Sequence, residues 1–285
     1  MSLARQSSGN REIALTLLLM AIPFRVPARA QERQIRIAAA ADLQFAMPEL
    51  AQRFEEQTGA KVVVSYGSSG NFFSQIQNGA PFDLFFSADL EYPRKLAGAG
   101  YCEPGTLFTY ATGRLVIWAH ADLRIGVRSL GWKALLDPRV RKLAVANPAH
   151  APYGKAALAA LRGAGIYEQV KSKLVFGENV SQAAQFAQSG DAQAGIVALA
   201  LALSPPMRNG EQWMIPQQLY PPLEQGGVLL KTSKEKNIAL AFLDFVKSAA
   251  GRAILEKWGF MPAKQGLSEK SGFLFPMNSK SIRNS

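Results

Sequence analysis

Four short segments combine small residues, hydroxyls and helix-start signals in a pattern suited to holding an anion. The first is Ala40-Ala41-Asp42-Leu43, where small residues let a ligand approach the backbone and Asp42 reads as a helix N-cap. The second, Gly67-Ser68-Ser69-Gly70-Asn71, sets two hydroxyl donors between glycines. The third runs from Asn147 to Gly154 (NPAHAPYG), with proline near a helix start and the phenol of Tyr153 beside it. The fourth is Glu178-Asn179-Val180-Ser181, again at the entry to a helix. Helix N-termini present free backbone N–H groups and a partial positive charge, so they bind anions without a formal cation. Neutral donors hold a dianion through charge-assisted hydrogen bonds worth about 1.5–3 kcal/mol each. The absence of lysine and arginine from the four segments keeps release possible. Each segment alone is a weak signal; four in one chain form a pattern.

Other chemistries find no support. His120 and His150 are the only histidines, too few for a His-rich metal cage, and no metal site is assigned; His150 reads as a surface residue. Neither a GxxxxGK[ST] phosphate loop nor a GxSxG nucleophile elbow occurs. Glu55 and Glu56 read as a solvated helix face, and Trp118, Trp132, Trp213 and Trp258 as packing residues. Cys102 is the only cysteine, which rules out an internal disulfide, and its loop setting (YCEPG) suits a structural thiol. No catalytic residue emerges, so the chain reads as a binder and not as an enzyme.

The elements that must position these segments alternate along the chain. Strand patterns occur at 35–40, 61–66, 83–87, 114–119, 143–146, 173–176, 194–197 and 228–231. Helical patterns occur at 43–57, 72–77, 92–97, 156–162, 181–189, 234–247 and 251–257. Such alternation predicts an α/β protein with a mostly parallel sheet covered on both faces. In open α/β sheets ligands sit beyond the carboxyl ends of strands, which is where the four segments fall. No Gly/Ser/Pro-rich linker cuts the chain once, so two lobes would be joined by more than one crossing.

The N-terminus reads as a targeting segment. Arg5 and Arg11 precede the apolar run Ile13 to Phe24, and Ala28-Arg29-Ala30 supplies the small-x-small cleavage pattern. That places a signal peptide over 1–30, a mature start at Gln31 and the protein in the periplasm. The formal net charge is +11; without the four arginines and one glutamate of the signal segment it is +8, and residues beyond Ala263 hold +3 of that. No basic stripe with interleaved aromatics is present, so nucleic acid is not expected as a partner. A positive field of this kind helps collect small anions.

With these segments in view, the sequence resembles the periplasmic molybdate-binding proteins of ABC importers. The likeness spans about Ile35 to Pro262 and is carried by AAADLQFAMPELAQRFEEQTG, ANPAHAPYGKAALAAL, KLVFGENVSQAAQFAQSGDAQAGIV and GRAILEKWGFMP. GSSGNFFSQIQNGAPFDLFFSAD is the most specific stretch. The resemblance implies a two-lobed type II periplasmic-binding-protein fold with the ligand cleft between the lobes. One lobe would comprise 31–113 and 224–265, the other 114–223, with a C-terminal tail over 266–285. It further implies capture of molybdate, or isosteric tungstate, for a membrane permease and ATPase, by a monomer whose lobes close on the ligand. Sulfate or phosphate is the alternative ligand.

The resemblance also implies the contact residues: Ala41 and Asp42 from the first segment, Ser69 from the second with Ser68 beside it, Tyr153 from the third, and the backbone of Val180 from the fourth. Two positions depart from the pattern. Many relatives carry serine where this chain has Asp42, and many carry tyrosine where it has Ala198, for which Tyr153 could compensate. A carboxylate facing a dianion repels it. Either Asp42 caps the helix and offers only its N–H, or it accepts a proton-bearing oxygen, which would favour hydrogen phosphate.

Overall fold

Chain positions 34 to 40 alternate little and bury almost everything, as a strand covered on both faces should. This is β1 (Gln34–Ala40), an inner strand of the first sheet. The computed structural model describes residues 33–263; the signal segment expected over 1–30 and the tail expected over 266–285 lie outside the described residues. From β1 the chain makes a 3-10 turn, Ala41–Leu43, and enters α1 (Ala46–Thr58). Sequence periodicity predicts this helix from Leu43. Pro48 explains the later start, because it has no N–H to bond the Gln44 carbonyl. Met47, Leu50, Ala51 and Phe54 form the buried stripe of α1, and Gly59 ends it in the left-handed conformation, φ 67°.

β2 (Lys61–Gly67), α2 (Ser69–Gln77), β3 (Leu84–Ser87), α3 (Glu91–Gly98) and β4 (Phe108–Gly113) follow. The chain then crosses to a second sheet with β5 (Leu115–His120), α4 (Val127–Leu130), β6 (Leu143–Ala146), α5 (Pro152–Gly163) and α6 (Tyr167–Val170). That sheet continues through β7 (Leu174–Gly177), α7 (Val180–Ser189), β8 (Ala194–Ala198), α8 (Leu199–Ala202) and β9 (Gly210–Met214). The chain returns to the first sheet as β10 (Leu223–Leu229), then α9 (Lys236–Lys247), α10 (Ala249–Lys257) and β11 (Met261–Pro262).

The strand orders are β11-β4-β10-β3-β1-β2 and β7-β6-β8-β5-β9, one sheet per lobe. The expectation of a mostly parallel sheet is corrected: both sheets are mixed. Parallel pairing is confined to β2-β1-β3 and β7-β6-β8, whose strands are joined through helices. β10 runs antiparallel to β3 and β4 because it arrives from the other lobe, and β5 runs antiparallel to β8 and β9. The parallel triplets matter for the site. Their carboxyl ends and following loops meet between the lobes.

Each lobe has its own apolar core. In the first, Phe54, Phe86 and Phe242 interlock edge-on, with ring centroids 5.1 Å apart for Phe54–Phe242 and 6.0 Å for Phe86–Phe242. In the second, Leu115, Ile117, Val145, Leu161 and Ile196 are fully buried. Trp118 is buried with its indole N–H on the Met207 carbonyl at 3.0 Å, a packing role as expected. Cys102 is buried too, and burial pushes its thiol up to about 11, so it is an unreactive core group. No helix among the described residues is long and apolar enough to cross a membrane.

Candidate functional site

Three helices and one 3-10 turn start at the same place. The cavity between the lobes is lined by Ala40, Ala41 and Asp42 after β1, Gly67, Ser68 and Ser69 after β2, and Ala88 after β3. The other lobe contributes Ala151, Pro152 and Tyr153 at the start of α5, and Asn179 and Val180 at the start of α7. All five residues singled out in the sequence, Ala41, Asp42, Ser69, Tyr153 and Val180, therefore line one cavity. Its free space is small, about 10 Å³ for the centre of a water-sized sphere. Pockets for organic ligands usually span roughly 300–1,000 Å³, so this one suits a ligand of few atoms.

Local chemistry builds each wall. Ser68 caps α2: its Oγ accepts the Asn71 N–H at 3.4 Å. Asn179 caps α7, its Oδ1 accepting the N–H groups of Ser181 and Gln182 at 3.0 Å each. Pro152 occupies the first turn of α5, where its missing N–H is harmless. These caps engage later N–H groups and leave those of Ser69 and Val180, the first residues of their helices, without an intrahelical partner. Each helix start acts as roughly half a positive charge, worth up to about 2 kcal/mol toward an anion where partly buried. Gly154 lets α5 come this close: a Cβ there would lie 2.2 Å from the Ala146 carbonyl oxygen.

Ser69 is fully buried and its Oγ accepts the Ala88 N–H at 3.0 Å. That bond occupies an oxygen lone pair and leaves the hydroxyl hydrogen available to a ligand. Tyr153 is buried as well, its phenol pushed well above its ordinary pKa by burial and by the charge of Asp42, so it remains a neutral donor. Its hydroxyl oxygen accepts from Gln225 Nε2 at 3.2 Å.

Asp42 does not behave as an N-cap. It lies inside the 3-10 turn, which has no side-chain cap bond, and its Oδ2 instead accepts from Gln225 Nε2 at 2.5 Å. Gln225 belongs to β10, and its Oε1 accepts the Tyr110 hydroxyl at 2.6 Å. Tyr110 also reaches the Ser87 carbonyl at 3.1 Å. Gly113, the last residue of β4 before the crossing, makes room for this network, since a Cβ there would lie 2.2 Å from the Tyr153 hydroxyl and 2.6 Å from Gln225 Nε2. The second oxygen of Asp42, Oδ1, is buried and has no hydrogen-bond partner among the described residues. Burial pushes the carboxyl up to about 6, against the Gln225 and Tyr153 side chains and the N–H groups of Asp42 and Leu43, which pull it down. Two unit negative charges about 4 Å apart repel by about 4 kcal/mol at an effective dielectric constant near 20, so an ionised Asp42 is a poor neighbour for an anion.

Besides the Gln225–Tyr153 bond, contacts at the rim of the cavity tie the lobes together. His150 Nδ1 sits 2.9 Å from Ser68 Oγ, and the Gly70 N–H donates to the His150 carbonyl at 2.9 Å. Asn71 Nδ2 donates to Glu178 Oε1, and Ser181 Oγ donates to Gln44 Oε1. Glu178 Oε2 also lies 3.7 Å from His150 Nε2. The reading of His150 as a surface residue is thus corrected: its side chain is 19% exposed and bridges the lobes. Gln225 and Tyr110 were not legible as site residues, because nothing local marks them; they join the site through strand pairing. Among the described residues no group of three or more His, Cys, Asp or Glu could hold a metal ion.

Residues 35–261 match the family described as bacterial extracellular solute-binding protein. The molybdate-binding protein ModA of Rhodobacter capsulatus is 39% identical over 246 residues, spanning 86% of this chain and 94% of that protein. ModA of Azotobacter vinelandii is 38% identical over 232 residues, spanning 81% and 91%. The solved structure of the Azotobacter vinelandii periplasmic molybdate-binding protein superposes with a TM-score of 0.76 at 35% identity, covering 81% of this chain and 100% of that one.

Proposed function

The chain belongs to the bacterial extracellular solute-binding proteins, within the family of molybdate-binding proteins, and from that premise we propose that it captures molybdate in the periplasm for an ABC importer. The observation that carries the reading is the convergence of the α2, α5 and α7 N-termini and the Ala41–Leu43 turn on one small cavity with no lysine or arginine in its lining. A tetrahedral dianion fits such a cradle because its charge spreads over four oxygens, each able to accept a hydrogen bond. Ala41, Asp42, Ser69, Tyr153 and Val180 are the proposed contacts, all through hydrogen bonds to ligand oxygens. Tungstate, with the same charge and shape, is the proposed second ligand.

Capture works by closure. The donors of the first lobe (Ser69 and the Ala41–Leu43 turn) and those of the second (Tyr153, Val180) complete the cradle only when the lobes meet. The cross-lobe bonds at Ser68, Asn71, His150 and Glu178 then hold the rim shut. Such hinge closure is a population shift toward the state that binds better. The closed form is the one a permease and its ATPase would receive, and neutral donors without a fixed cation allow release to them.

Calorimetric titration of the mature protein from Gln31 with sodium molybdate, tungstate, sulfate and phosphate tests the assignment. Tight one-to-one binding of molybdate and tungstate, with weak sulfate and phosphate, is the expected result. Preference for phosphate would overturn the molybdate assignment and make Asp42 an acceptor for a protonated anion.

A further inference from the structure

We propose that Asp42 meets the captured oxyanion as a neutral carboxylic acid, donating a proton from its Oδ1 to a ligand oxygen, so that binding takes up one proton from solution. The inference rests on the molybdate reading above and adds a chemical role for the one acidic residue in the cradle.

The hydrogen-bond network dictates where the proton must sit. Tyr110 has one hydroxyl proton and two acceptors in reach; the shorter contact, 2.6 Å to Gln225 Oε1 against 3.1 Å to the Ser87 carbonyl, orients the Gln225 amide. Gln225 Nε2 then donates to both Asp42 Oδ2 and the Tyr153 hydroxyl. Oδ2 is an acceptor in this arrangement, so a proton on Asp42 belongs on Oδ1. That atom is buried, lacks a hydrogen-bond partner among the described residues, and belongs to a residue that lines the cavity. Ionised, it would set a third negative charge against a dianion. Protonated, it becomes a donor like the Ser69 and Tyr153 hydroxyls around it.

The groups facing the carboxyl allow this. Tyr153 comes from α5, Tyr110 from β4 and Gln225 from β10, with the N–H groups of Asp42 and Leu43 on its own turn. Asp89, itself pushed up by burial, and Tyr220 act on these phenols from further out. His150 and Glu178 lie on the opposite lobe at the rim. No salt bridge reaches Asp42 among the described residues, so only hydrogen bonds from neutral donors favour its ionised form, and burial outweighs them. Its pKa, pushed up by burial to about 6, lies one unit below neutral pH. Protonating it at pH 7 therefore weakens binding only about tenfold. An anion in the cavity pushes the carboxyl up further still. The expected affinity is flat with pH below about 6 and falls about tenfold for each pH unit above it.

Titration of the wild-type protein with sodium molybdate at neutral pH, in two buffers of different ionisation enthalpy, counts the protons. Uptake of close to one proton is expected. It should come with an infrared band of a protonated carboxyl that appears on adding molybdate and is missing from Asp42→Asn. Asp42→Asn keeps an acceptor for Gln225 and gains a permanent donor. It should bind molybdate about tenfold more tightly at pH 7, without proton uptake and without pH dependence. Tight molybdate binding by the wild type with no proton uptake overturns the proposal. Uptake without the carboxyl band places the proton on the ligand and also overturns it. If neither wild type nor folded Asp42→Asn binds molybdate, the ligand assignment itself falls, and this proposal with it.

Discussion

Ser69→Ala separates structural from ligand-binding roles at the cradle. Ser69 is completely buried, and its Oγ accepts the Ala88 N–H at 3.0 Å. Truncation leaves that N–H buried and unpaired, at about 1–3 kcal/mol of stability. For a chain of this size each kcal/mol corresponds to roughly 2–4 °C, so Tm without ligand should fall by about 2–12 °C. The same change removes a hydroxyl donor to the anion. One charge-assisted bond of about 1.5–3 kcal/mol corresponds to molybdate binding weakened roughly 10- to 150-fold. Thermal unfolding without ligand and calorimetric titration with molybdate read the two effects on one sample. Loss of stability with unchanged molybdate affinity would refute the reasoning, because Ser69 would then only brace the β3 loop.

Three further changes probe other parts of the site. Gly154→Ala must push the start of α5 away from Ala146, where a Cβ would sit 2.2 Å from the carbonyl oxygen; molybdate affinity and Tm should drop together, the stability by about 1–3 kcal/mol of overpacking strain. Glu178→Ala removes the acceptor for Asn71 and the neighbour of His150. As Glu178 is 55% exposed, its bonds are worth no more than about 1 kcal/mol, so stopped-flow release of molybdate should quicken by only a few-fold, and less so at high salt. The ligand-free protein should also depend on pH through Asp42. Its folded pKa is raised from 3.8 to about 6, so the stabilising effect of protonation is complete below the lower value and lost as pH rises through the upper one. Asp42→Asn should therefore gain about 3 kcal/mol over wild type at neutral pH and lose that advantage toward pH 4, as denaturant titrations at each pH would show.

Local pattern carried the elements that stand on the strand–helix alternation. β1, β2, β6 and α7 fall within a residue or two of their sequence-based ranges: β1 and β6 are apolar runs buried almost throughout, α7 buries one apolar stripe, and β2 is a β-branched edge strand with Val62 and Val64 half-buried. β4, β9 and β11 did not stand out. They are antiparallel strands with ordinary composition, and distant partners decide their pairing. β10 was expected only at 228–231, yet it begins at Leu223. Gly226 and Gly227 weaken its strand signal, while pairing to both β3 and β4 keeps it extended.

The site divides in the same way. Helix starts are written in nearby residues, so the four loop segments could be read and are found around one cavity. Partners far apart in the chain could not be read. Asp42 looked like a cap because aspartate before a helix normally is one; Gln225, 183 positions away, redirects its carboxyl. His150 looked like a surface residue because a lone histidine in a loop carries no sign that Ser68 of the other lobe will meet it.

The most direct test is crystallographic: an anomalous difference map at the molybdenum absorption edge from crystals grown with sodium molybdate. One strong peak between the N-termini of α2, α5 and α7, with ligand oxygens within hydrogen-bond reach of Ser69, Tyr153 and the Val180 N–H, is the predicted result. A peak elsewhere on the molecule, or an empty cavity in crystals whose protein binds molybdate in solution, would contradict it.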